Sequence, residues 1–90
     1  MRAEDLLPDH INSAELNGVL VRKGTVGAFL ANAKVLLDLS APAASREQAE
    51  KHIVEALPAL DALAVFEVFE IRAPLLRALV ERHLPRQKEI

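Results

Sequence analysis

Cysteine, tryptophan and tyrosine are absent from this 90-residue chain, and Phe29, Phe66 and Phe69 are its only aromatic residues. Without cysteine there is no disulfide to staple so small a domain and no thiolate metal site. That absence fits a reducing compartment, and a cytoplasmic location is expected. The apolar content is mostly Leu and Ala, and with so few aromatics the core has to be filled by interdigitating Leu side chains. Leu and Ala are also strong helix formers, which favours a helical fold.

Two further absences narrow the classes of function. No apolar run approaches the roughly 20 residues that a membrane helix requires. The best candidate, residues 56–68, carries Pro58, Asp61 and Glu67. The start, MRAEDLLPDH, has acids at Glu4 and Asp5 and lacks the apolar stretch of a signal peptide. Charge of one sign is also missing. The formal net charge is −2, and basic residues alternate with acids except at Arg22-Lys23 and in the tail with Arg82, Arg86 and Lys88. A nucleic-acid binder normally carries a basic stripe that displaces counterions from phosphates, so this balance opposes a nucleic-acid partner.

What is present is apolar surface in excess. About half of the residues, 51 %, are apolar, yet a chain of this length buries only roughly 60–65 % of its unfolded surface. A single domain is expected over residues 1–90, with 1–12 and 86–90 flexible. The expected fold is mainly α, with three to four short helices packed as a small bundle and a short hairpin near residues 14–22.

The hairpin is read from Asn17-Gly18, a pair that accepts positive φ at both central positions of a type I′ turn. It would join residues 14–16 to 19–22. The competing reading is a short helix from Asn12 that ends at Gly18. Leu6-Leu7 could dock on the body, interrupted by Pro8. From Thr25, a good N-cap residue, Val26, Phe29, Leu30, Ala33 and Leu37 recur with helical spacing, which predicts a helix to about Leu39. Residues 40–45, SAPAAS, read as a loop. Ser45-Arg46-Glu47-Gln48 has the form of a capping box opening a second helix. Its apolar stripe is Ala49, Ile53, Ala56, Leu57 and Leu60, and Glu47, Lys51 and Glu55 suit a solvated face. Pro58 predicts a kink or break, with helix resuming to about Leu63. VFEVFEI, residues 65–71, fits neither strand nor helix and reads as a buried connection with Phe66 and Phe69 in the core. Pro74 suits the first turn of a last helix whose face is Leu76, Leu79, Val80 and Leu84, stopped by Pro85.

Candidate sites are few. Arg22-Lys23-Gly24-Thr25 superficially suggests a phosphate loop, but a glycine intervenes between lysine and threonine and Gly18 has the wrong spacing. A weaker anion site at the helix start would use Arg22, Lys23, Thr25 and Gly27. The simpler reading is architectural: Gly24 turns the chain, Thr25 caps and Gly27 permits close packing. His10, His52 and His83 form no ligand pair. His52 with Glu55 would supply too few groups for zinc, so no metal and no cofactor is expected. Ser13, Ser40 and Ser45 read as caps or turn residues, and no nucleophilic triad can be assembled. Glu67 and Glu70 are the acids of an apolar stretch. With Phe66 and Phe69 they could mark the wet edge of a buried connection, a partner-binding edge or an acid–base pair.

The segments Gly18 to Asn32 and Ala56 to Phe69 resemble a family of small bacterial proteins of unknown function. The shared features are G-x-x-V before Gly24-Thr25-Val26, then Phe29-Leu30 and Asn32, followed by Leu57-Pro58 and the F-x-x-F pair Phe66 and Phe69. The resemblance covers about the middle half of the chain. It implies no activity and no site residues. With no catalytic constellation and more apolar residues than so short a chain can easily bury, the expected function is a non-enzymatic interaction or accessory domain that binds a protein partner or its own copy as a homodimer. The alternatives are a helix-turn-helix nucleic-acid module and an anion or small-ligand binder at Gly24–Gly27.

Overall fold

In the computed structural model, residues 2, 5, 8 and 10–84 are described. The docking of Leu6-Leu7, the stop at Pro85 and the basic tail at Arg86 and Lys88 lie outside them. Strands β1 (Ser13–Leu16) and β2 (Val19–Arg22) form an antiparallel hairpin with Leu16 opposite Val19 and Ser13 opposite Arg22. Four helices follow: α1 (Thr25–Leu37), α2 (Ala43–Ala62), α3 (Val65–Val68) and α4 (Pro74–His83). The fold is mainly α with one short hairpin. Among the described residues, no helix is long and apolar enough to cross a membrane.

The hairpin forms where the Asn-Gly pair places it. Asn17 and Gly18 have φ of 50° and 79°, the positive values of a type I′ turn. The competing helix from Asn12 to Gly18 is not adopted. Ser13 is therefore a strand residue, not a cap or turn residue. Val21 is buried beneath the hairpin, and the amide of Asn17 donates to the Ala62 carbonyl at 3.4 Å, tying the turn to the end of α2.

Helices α1 and α2 form the central antiparallel pair. The five-residue connection, 38–42, is fastened by Asp38, whose carboxylate accepts the Ser40 hydroxyl at 2.6 Å and the Ser40 N–H at 3.0 Å. The hydroxyl first, then the N–H, hold the Asp38 carboxyl below its ordinary range. The Arg46 Nε–H of α2 donates to the Leu36 carbonyl at 2.9 Å, satisfying an end carbonyl of α1.

The core is Phe29, Ala33 and Leu36 from α1, Ile53, Leu57 and Leu60 from α2, and Leu76, Leu79 and Val80 from α4. The stripes expected on α2 and α4 are the buried ones, with Ala56 and Leu84 half-buried. On α1 the expected face is corrected. Leu36 is buried, whereas Val26, Leu30 and Leu37 are exposed. Apolar residues cover so wide an arc of this helix that spacing alone does not choose among them, and α2 selects the Phe29–Leu36 side.

Three boundary expectations are also corrected. Helix α1 ends at Leu37, two residues early, because Asp38 takes an extended conformation. Helix α2 begins at Ala43 with Pro42 as its cap, so Ser45 lies inside the first turn and no capping box forms. Two consecutive alanines prolong the helix backwards into the stretch that reads as a loop. Finally, α2 runs unbroken through Pro58, which lies on its exposed side. The outer face of the proline ring is therefore open to solvent, while Leu57 and Leu60 remain in the core.

Candidate interaction edge

After α2 the chain turns sharply at Ala64, whose φ of 63° lies in the left-handed region, and enters the single turn of α3. This geometry separates the two phenylalanines. Phe66 is half-buried and meets Phe29 edge to face, with ring centroids 6.2 Å apart and planes at 69°. Such a pair contributes about 0.5–1.5 kcal/mol beyond burial alone. Phe69 lies on the other side of the turn and is 70 % exposed, beside Val68 at 74 %. The expectation that both phenylalanines enter the core is thus wrong for Phe69. A one-turn helix can direct only part of VFEVFEI inward, and the inward members are Val65, Phe66 and Ile71.

Glu67 and Glu70 are exposed on the same segment. Among the described residues, neither carboxylate has a hydrogen-bond or cation partner. The four candidate interaction residues therefore divide. Phe66 anchors the segment to the core, while Glu67, Phe69 and Glu70 face outward together with Val68.

From Phe69 to Ala73 the chain contains no turn or bend, and both of its ends are extended. Phe69 has φ −114° and ψ 144°, and Ala73 has φ −77° and ψ 119°. Ala73 precedes Pro74, which disfavours helical backbone at that position. Ile71 and Ala73 are half-buried, whereas Glu70 and Arg72 are exposed. The Ile71 carbonyl accepts Arg77 Nη1–H at 3.1 Å. The N–H and C=O groups of Glu70 and Arg72 have no partner among the described residues. Sequence reasoning drew attention to the acids and the apolar residues that rim them, Val68 included, but missed Arg72 and this open backbone. The β-compatible run Phe69-Glu70-Ile71-Arg72 ahead of Ala73-Pro74 was the signal that could have found it.

The second candidate, at the start of α1, has a different geometry. Gly24 is the cap residue with φ 87° and gives no side-chain cap bond. Thr25 is the first helical residue, not the N-cap. Its hydroxyl donates backwards to the Arg22 carbonyl at 2.6 Å. Lys23 Nζ donates to the Pro8 carbonyl at 3.2 Å. Gly27 does not serve close packing, because a Cβ placed there would meet nothing within 4 Å. Arg22, Lys23, Thr25 and Gly27 thus lie in one short stretch, but Lys23 and the Thr25 hydroxyl are bonded to carbonyls of the chain itself.

His10, His52 and His83 are exposed, and His52 Nε2 lies 3.3 Å from Gln48 Nε2. No group of three or more His, Asp or Glu converges as a metal site among the described residues.

No family model, curated protein or solved structure matches the chain. The resemblance at Gly18–Asn32 and Ala56–Phe69 gains no support from these comparisons.

Proposed function

We propose that this chain is a non-catalytic interaction domain of the cytoplasm, and that residues 67–72 form its docking edge. One observation carries the reading: Val68 and Phe69 are adjacent, about three-quarters exposed and framed by the unpartnered carboxylates of Glu67 and Glu70. Scattered apolar residues are ordinary on a protein surface, but two large neighbours without cover, held by a half-buried anchor, mark a contact site. Phe66 supplies the anchor, since its contact with Phe29 fixes the segment to the core. The cytoplasmic assignment follows the lack of cysteine. Membership of the small bacterial family that the middle of the chain resembles would suit this role, because that resemblance implies no activity.

The test is a double substitution, Val68→Ser with Phe69→Ser. Both side chains are exposed, so thermal unfolding followed by circular dichroism should stay within a few degrees of the parent. Binding of proteins from a native lysate, and self-association, should be lost together. A variant that retains both contradicts the assignment of this edge.

A further inference from the structure

Resting on the interaction reading above, we infer that the partner at this edge is a second copy of the same chain, paired antiparallel through residues 69–73. In an extended segment the N–H and C=O groups of successive residues point to opposite sides. The Ile71 carbonyl is turned towards Arg77 of α4. The polar groups of Glu70 and Arg72 therefore point the other way, out of the molecule, where they have no partner among the described residues. This is a short open strand edge of the kind that another strand completes.

The side chains select the occupant and the register. Only residues 70 and 72 present backbone groups outward, so three antiparallel two-fold arrangements are available. Pairing Glu70 with its own copy sets carboxylate against carboxylate. Pairing Arg72 with its own copy sets guanidinium against guanidinium. Centring the two-fold on Ile71 sets Glu70 opposite Arg72 of the second copy and Arg72 opposite its Glu70. Opposite charges directly across a strand pair stabilise, and like charges destabilise. In that register each Glu70–Arg72 pair exchanges both N–H···O=C bonds, and the two Ile71 Cα atoms approach to about 4.5 Å as a non-hydrogen-bonded pair. Phe69 then falls opposite Ala73 of the other copy and gains the cover it lacks. The contact is isologous and closes as a dimer. Five paired residues bury well below the about 1,200 Å² of a stable interface, so the dimer is weak and concentration-dependent.

Sedimentation velocity from micromolar to millimolar concentration tests this. The wild-type chain should show a rising average mass. Glu70→Arg alone, or Arg72→Glu alone, replaces both attractive pairs with repulsive ones and should weaken self-association by about tenfold or more. The two single variants mixed together should associate with each other, because each supplies the charges that the other lacks. The double variant Glu70→Arg with Arg72→Glu should self-associate again. All these positions are exposed, and circular dichroism confirms that each variant is folded. A wild-type chain that stays monomeric at millimolar concentration overturns the inference, as does a double variant that fails to recover. So does association that survives both single changes and is lost in Leu30→Ser. If the chain is monomeric yet binds another protein through Val68 and Phe69, self-pairing falls while the interaction reading stands.

Discussion

Pro58 stands in the interior of α2, where it removes one intrahelical hydrogen bond and sets its ring against the preceding turn. Replacing it with alanine should stabilise the fold. In a helix interior proline is about 3 kcal/mol less favourable than alanine, which sets the upper limit of the gain. The core is shaped around the proline-containing helix, with Leu57 and Leu60 at 1 % and 0 % exposure on either side. Any straightening would displace these two leucines, at a cost of about 1 kcal/mol. The expected net gain for Pro58→Ala is therefore about 2 kcal/mol. For a domain of this size that raises the melting temperature by roughly 8–16 °C. Residue 58 is exposed, so the new methyl group meets no neighbour in the core. Thermal melts by circular dichroism and urea midpoints should agree in sign. An unchanged or lower melting temperature would refute the reasoning and would mean that the seats of Leu57 and Leu60 depend on the proline.

The two glycines of the α1 start should respond in opposite directions. Gly24→Ala forces a side chain into φ 87° and should cost about 1–2 kcal/mol; Gly27→Ala, in a helical turn with open space around it, should gain about 0.5–1 kcal/mol. Urea unfolding of both variants checks the pair. At the α1–α2 connection, Asp38 has a lowered pKa through the Ser40 hydroxyl and N–H. Its contribution to stability is present above the ordinary carboxylate pKa of about 3.9 and is lost as pH falls through the lower folded value. Asp38→Asn should therefore lose less melting temperature than the parent between neutral pH and pH of about 3. An identical or larger loss in the variant contradicts that assignment.

Features set by nearest neighbours were legible in the sequence. Asn17-Gly18 accepts the φ values of its turn whatever surrounds it, and Pro74 opens α4 because its ring suits a first turn. The stripes of α2 and α4 were readable because polar residues flank them and leave one choice of face. Helix α1 was harder. Lys34 is its only charged residue, so the sequence offers several apolar faces and the contact with α2 selects one. The start of α2 was misread because Ala43-Ala44 looks like loop beside Pro42 but helix once the chain turns. At the interaction edge, the acids and phenylalanines were visible as a group. Their division into the anchor Phe66 and the exposed Phe69 depends on the positive φ of Ala64, which no local pattern announces. The open backbone of Glu70 and Arg72 depends on where Arg77 reaches, and that is set by the packing of α4.

The most direct measurement is a dilution series followed by amide NMR. If residues 69–73 pair with a second copy, the Glu70 and Arg72 amide signals should move downfield together as concentration rises, and their hydrogen exchange should slow. The Ile71 amide, which the proposed register leaves out of the ladder, should change least of the three. Signals that do not depend on concentration would contradict self-pairing at this edge, as would changes centred on Val26, Leu30 and Leu37.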